Sequence, residues 1–207
     1  MQINLQQIGK KFNREWVFRN INYEIPSGTR LAILGSNGSG KSTLLQVISG
    51  ILSPSEGKVE YSLQSNSIAI EDVFQHFSIA SPYLELIEEM SLTEMIDYHF
   101  SFKNRLQNLT TSEIISLLGL ESSANKEIRY FSSGMKQRLK LALAILSDVA
   151  CILLDEPCSN LDKQGIAWYQ GLLEKYTQQR TLLICSNQEY EYEICDKFIS
   201  IMDYKSV

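Results

Sequence analysis

Eight residues, Gly35-Ser36-Asn37-Gly38-Ser39-Gly40-Lys41-Ser42, carry the most specific chemistry in the chain. They match the pattern GxxxxGK[ST], and Thr43 continues the run. Glycines at such spacing let the backbone wrap a phosphate without side-chain clash. N–H groups at a helix start then favour the negative charge. Lys41 would add a point charge at β- and γ-phosphates, and the hydroxyl of Ser42 suits Mg²⁺. A second element is Ile152-Leu153-Leu154-Asp155-Glu156-Pro157, an apolar run ending in two carboxylates. Asp155 would hold Mg²⁺ directly or through water. Glu156 would orient and deprotonate an attacking water, so Glu156 and Lys41 are the expected catalytic groups. A third element, Phe131-Ser132-Ser133-Gly134-Met135-Lys136-Gln137-Arg138, precedes the acidic run. A helix start bearing a hydroxyl can clamp a γ-phosphate.

These groups need a frame, and the apolar patterning predicts one. Leu31–Leu34 leads into the glycine loop, Cys151–Leu154 ends at Asp155, and Thr181–Cys185 and Phe198–Met202 follow. Continuous apolar runs of this length read as parallel strands covered on both faces. Carboxylates at the end of such a strand fall at the carboxyl edge of the sheet, where open α/β sheets bind ligands. Helices are expected from Lys41 to Gly50, after Gly134 and after Asp162. Two capping boxes, Ser91-Leu92-Thr93-Glu94 and Thr110-Thr111-Ser112-Glu113, open two more, the second stopping at Gly119. From Pro82 onward the chain carries helical signals and no convincing strand. Residues 82–135 are therefore expected to form a helical subdomain within a single domain spanning 1–207. The N-terminal part, with Ile3, Leu5, Ile8, Ile21, Tyr23 and Ile25, alternates like antiparallel strands.

The order of phosphate loop, helical insertion, serine-glycine helix start, acidic strand and Ser159-Asn160-Leu161-Asp162 resembles the ATPase subunit of an ABC transporter, of the small exporter type. The resemblance implies an α/β fold: a P-loop NTPase core with a mainly parallel sheet, an N-terminal antiparallel β part and an inserted helical subdomain. It implies ATP and Mg²⁺ as ligands. It also implies a homodimer or heterodimer with a second ATPase subunit, in which Ser132 and Gly134 reach ATP held by the partner's loop. That signature usually reads Leu-Ser-Gly-Gly-Gln; here Phe131, Ser132, Ser133, Gly134 and Met135 occupy its places. Ser159–Asp162 resembles the loop that links the two sites, and Asp162 also suits a helix N-cap. Phe12 lies where the family stacks an aromatic on adenine, with Trp16 as the competing candidate. Two places depart from the family. Its switch histidine is Asn187, an amide that can donate to a phosphate oxygen but cannot relay a proton. Its metal-contacting glutamine is Ser81, or Gln75 under a shifted alignment. His76 and His99, the only histidines, read as structural or surface residues.

Composition narrows the function classes. The chain has 207 residues, 44% of them hydrophobic, and a net charge of −5. That suits one compact domain with a real core and lends no support to nucleic-acid binding. No apolar run reaches the ~20 residues of a membrane span, and no secretion leader is visible. Any membrane work would fall to another chain; the resemblance implies an integral membrane permease subunit as partner, with this chain cytoplasmic and peripheral on the inner face of the cell membrane. The short C-terminal end leaves no room for the regulatory domain of some importer ATPases. Cys151, Cys158, Cys185 and Cys195 form no CxxC pair and read as free thiols. The alternatives are a soluble ABC-type ATPase acting on ribosomes or DNA, and a small-molecule kinase or GTPase. The first usually carries two ATPase halves or a coiled-coil insertion. The second shares only the phosphate loop, and a guanine-specific Asn-Lys-x-Asp is missing.

Overall fold

The structure, a computed structural model, describes residues 1–205. It opens with two long strands, β1 (Gln2–Phe12) and β2 (Glu15–Ile25), paired antiparallel. Next come β3 (Arg30–Leu34), α1 (Lys41–Ile48), β4 (Glu56–Leu63), β5 (Asn66–Ile68) and β6 (Phe77–Ala80). Helices α2 (Leu92–His99), α3 (Thr111–Leu118) and α4 (Ser133–Ile145) follow, with only short 3₁₀ turns between them. The chain ends as β7 (Cys151–Asp155), α5 (Lys163–Tyr176), β8 (Thr181–Cys185), α6 (Glu189–Tyr192) and β9 (Lys197–Ser200).

The strands form two sheets. One is antiparallel, in the order β2-β1-β4-β5, and the other is parallel, in the order β6-β7-β8-β3-β9. The period-two alternation of the parallel strands builds two cores. Leu31, Ile33, Leu153 and Leu183 point toward α1 and the antiparallel sheet, where they meet Ile3, Leu5, Phe18 and Leu44. Ala32, Ile152, Leu154, Leu182 and Ile184 point to the other side and pack with Leu139, Leu143, Tyr169 and Leu173 of α4 and α5. The core of α2 and α3, with Ile96, Ile114 and Leu118, continues this second cluster. Both capping boxes form, at Ser91 with Glu94 and at Thr110 with Glu113, and Gly119 closes α3 in the left-handed region at φ 66°.

Several boundaries differ from the sequence reading. Strand β9 ends at Ser200, and Ile201–Tyr204 turns into a 3₁₀ helix because Ser200 caps the Met202 N–H. Helix α1 stops at Ile48, before Gly50. Helix α4 begins at Ser133, one residue earlier than Gly134, because Ser132 is its N-cap. Residues Val73–His76 form a 3₁₀ turn, so β6 starts only at Phe77. Strands β4 and β5 were not foreseen at all. His99 lies against the Ser147 hydroxyl at 2.9 Å, and burial, with Lys103 adding to it, pulls its imidazole down to about 4. It is a neutral packing group in the helical segment. All four cysteines are buried and free. Among the described residues no helix is long and apolar enough to cross a membrane.

Candidate functional site

The site grows from the end of β3. Gly35 stands at φ 152°, and a Cβ there would lie 2.6 Å from both Ile201 Cγ2 and Ser39 Oγ. Gly40, the N-cap of α1, stands at φ 104°, where a Cβ would lie 2.3 Å from Val17 Cγ1 of β2. The loop therefore threads tightly between the antiparallel hairpin and the carboxyl edge of the parallel sheet. No side chain caps α1, so the N–H groups of its first turn are left for an anion. Lys41 is buried, and its Nζ donates to the carbonyls of Gly35 at 2.7 Å and Ser36 at 3.2 Å. Those bonds hold the ammonium inside the loop it would serve.

Parallel pairing sets the acidic residues beside it. β8 lies between β7 and β3, and Asp155 is in register with Cys185, whose Sγ donates to the Lys41 carbonyl at 3.5 Å. Asp155 is buried at 3% exposure, and its Oδ1 has no hydrogen-bond partner. Burial raises its pKa, while the neighbouring Ser42 hydroxyl and the charge of Lys41 pull the other way. A buried carboxylate oxygen without a donor, beside a serine hydroxyl, is the oxygen-only arrangement that suits a hard divalent cation. Ser42 and Asp155 therefore fit Mg²⁺.

Glu156 adopts φ 45°, a left-handed conformation rare outside glycine, which costs about 1–3 kcal/mol. The strand end thereby breaks sharply into the loop Glu156–Ser159, closed by Ser159 N–H and hydroxyl bonds to the Glu156 carbonyl at 3.1 and 2.8 Å. Glu156 lines a cleft of about 180 Å³ with Asn37 and Asn187. Across it the Asn187 amide donates to Asn37 Oδ1 at 2.5 Å. Ser81 directly follows β6, and Ala80 pairs with Leu154, so Ser81 falls one step along the edge beside Asp155. Its Oγ accepts the Tyr83 N–H at 3.3 Å. Gln75 lies exposed in the 3₁₀ turn at the opposite end of β6.

Ser132, Gly134 and Phe12 lie elsewhere. Ser132 is exposed at the start of α4, where its Oγ accepts the Met135 N–H at 3.2 Å. A Cβ on Gly134 would lie 3.1 Å from the Asn160 carbonyl, so this helix start abuts the loop after β7. Phe12, at the end of β1, is 51% exposed, with Lys10 Nζ 5.3 Å from its ring centroid. Trp16 carries both Arg19 and Lys11 on its ring, at 4.5 and 5.2 Å. Three further polar links escaped the sequence reading. Buried Gln137 donates from Nε2 to the Pro157 carbonyl at 2.7 Å, tying α4 to the acidic loop. Lys140 donates to the carbonyls of Ser81 at 3.4 Å and Pro82 at 3.2 Å. Glu191 bonds to Cys158 and Ser186. Nothing in the local pattern marks these three as buried or bridging.

The orphaned oxygen of Asp155 gives a direct test. Asp155→Asn removes a buried charge, so in EDTA the variant should melt roughly 3 °C higher, equivalent to about 1 kcal/mol in a chain of this size. It should also lose the extra thermal stabilisation that Mg²⁺ adds to ATP. A variant that keeps the full magnesium increment would contradict this placement.

The sequence matches the ABC transporter family over residues 18–159. The chain is 31% identical to YybJ, an uncharacterized ABC transporter ATP-binding protein of Bacillus subtilis (strain 168), over 94% of this chain and 89% of that one. It is 28% identical to SrtF, a lantibiotic transport ATP-binding protein of Streptococcus pyogenes, over 97% and 86% of the two chains. In fold it resembles the dimeric ATP-binding cassette MJ0796 in a post-hydrolysis state bound to ADP and Pi. The TM-score is 0.81 at 21% identity, covering 98% of this chain and 94% of that one. A family match across more than half of the chain, with a relative of this identity along nearly its whole length, places the protein in the ABC transporter family as an ATP-binding, ATP-hydrolysing subunit.

Proposed function

We propose that this subunit powers a separate membrane permease by closing on ATP as a dimer. Each nucleotide is held between the Gly35–Thr43 loop of one chain and the Ser132–Gly134 helix start of the other. The carrying observation is the exposed, hydroxyl-capped start of α4. It is built like an anion clamp, and in its own chain Gly134 packs against the loop after β7. The solved MJ0796 cassette is likewise a dimer. A ligand that touches both chains only in the closed state favours that state by its differential affinity, which is the source of mechanical work.

Within the shared site, Lys41 and the uncapped N–H groups of α1 bind the phosphates. Phe12, the more open of the two aromatics, stacks on adenine. Ser42 and Asp155, with Ser81 beside them, would hold Mg²⁺, which would supply neutralisation of the phosphate charge. Glu156 orients the attacking water and takes its proton. Asn187 donates to the γ-phosphate from the far side of the cleft. The permease docks where the segment after β6 meets α4. There Pro82, Leu84, Ile87, Glu85 and Glu88 line a cleft of about 570 Å³, and Tyr83 is 80% exposed. Lys136 and Lys140 share this lining with the glutamates, and Lys136 pairs with Glu88, so the cleft joins apolar residues with charge of both signs and fits a short amphipathic helix. Such docking makes the chain peripheral on the inner face of the cell membrane.

Two variants test these assignments. Gly134→Asp places a carboxylate where the partner's γ-phosphate would sit. It should lower kcat by about a hundredfold, the scale of one lost transition-state contact, while ATP affinity of the isolated chain stays within about threefold. An equal loss of affinity would show that Gly134 serves its own chain's nucleotide or merely the fold. Asn187→His restores a group able to relay a proton and should raise kcat about tenfold. An unchanged rate would sink the idea that this position limits hydrolysis.

A further inference from the structure

Glu191 is a charged residue at 4% exposure on the four-residue helix α6, and none of the roles above uses it. Its contacts are nonetheless complete. Oε1 accepts the backbone N–H of Cys158 at 2.8 Å. Oε2 accepts the hydroxyl of Ser186. Its backbone carbonyl accepts the hydroxyl of Tyr169, a fully buried residue of α5, at 2.8 Å. Its N–H donates to the Gln188 carbonyl at 3.0 Å, and Ser186 Oγ in turn accepts the Gln188 N–H at 2.8 Å.

The positions of these partners matter more than their number. Cys158 lies two residues after Glu156, in the loop that leaves β7. Ser186 lies directly before Asn187, at the end of β8. One carboxylate therefore spans the two loops that carry the base and the amide on either side of the same cleft. Tyr169 anchors the bridge to α5, the helix that follows Ser159–Asp162. Burying a carboxylate is costly, and a well-packed apolar residue often serves stability as well or better. What an apolar residue cannot do is accept from two loops at once and so fix their separation. Catalysis is sensitive to that separation, because a displacement of about 1 Å can cost a factor near a hundred.

We propose that Glu191 is a positioning residue that holds the Glu156 loop and the Asn187 loop at the spacing hydrolysis requires. The inference rests on the roles given above to Glu156 and Asn187. Glu191→Ala removes both arms of the bridge. Glu191→Gln keeps both, since its carbonyl can accept from Cys158 and its amide can donate to Ser186 Oγ.

The purified chain, wild type and variants, is measured for steady-state ATP hydrolysis, equilibrium ATP binding and amide hydrogen exchange. Glu191→Ala should lower kcat by about 10- to 100-fold with ATP affinity within about threefold. Exchange should quicken at residues 156–159 and 186–188 and stay unchanged in α1. Glu191→Gln should keep at least about a third of the wild-type kcat, a rescue that follows from retained geometry. Ser186→Ala cuts one arm only. It should quicken exchange at 186–188 with a smaller loss of kcat, and it carries the test if Glu191→Ala does not fold.

The proposal is overturned by a folded Glu191→Ala with wild-type kcat, or by unchanged exchange in both loops. It is also overturned if Glu191→Gln is as impaired as Glu191→Ala, since charge rather than bridging would then be at work. Wild-type protein that binds ATP without hydrolysing it would instead sink the reading of Glu156. The exchange measurement would still decide whether the bridge exists.

Discussion

The start of α1 is left uncapped at the carboxyl edge of a parallel sheet, with a buried lysine folded into the loop before it. Unsatisfied donors and a buried ammonium are unfavourable until an anion arrives. The surrounding structure holds them in place. Val17 of the antiparallel hairpin closes on Gly40, and Ile201 with Ser39 closes on Gly35. The two sheets thus meet at the loop, and the core of Ile3, Leu5, Phe18, Leu44 and Leu153 holds them together. The antiparallel sheet serves as a wall that keeps the phosphate loop in its strained, open shape.

From that loop, order passes outward through a few buried polar links. Asp155 ends β7, which β8 separates from the loop's own strand, and burial raises its pKa against the pull of Ser42 and Lys41. The left-handed turn at Glu156 brings Pro157 under Gln137, so α4 cannot move without moving the acidic loop. Lys140, one turn further along α4, donates to the carbonyls of Ser81 and Pro82 in the cleft after β6. A permease docked there would therefore touch a segment bonded to the helix whose first residues, in the proposed dimer, would face the partner's nucleotide. Such links connect packed elements into one contiguous network, the physical route by which coupling can pass between sites.

The candidate site was legible in the sequence where residue type and spacing alone define it. The glycine loop, the Asp155-Glu156 pair and both capping boxes each depend on local pattern, and local pattern survives in one dimension. The parallel strands were legible because burial on both faces writes an unbroken apolar run. β4 was not, since Gly57-Lys58-Val59-Glu60-Tyr61 mixes charge with one inward face and reads as a polar loop. Glu191 was hidden for a related reason. Glu189-Tyr190-Glu191-Tyr192 looks like a solvated turn of helix, and only its contacts with Ser186, five residues back, and with Cys158, in the loop after β7, make its carboxylate an interior group. Met202, expected in the last strand, instead lies in a 3₁₀ turn because Ser200 caps it.

If the grip on ATP is completed only by a second chain, sedimentation velocity of the Glu156→Gln protein, which should bind ATP without consuming it, will show it. With saturating ATP and Mg²⁺ the chain is expected to shift from monomer to dimer and to return to monomer when EDTA is added. A chain that stays monomeric at concentrations of ATP and Mg²⁺ that fill its binding site would contradict the account.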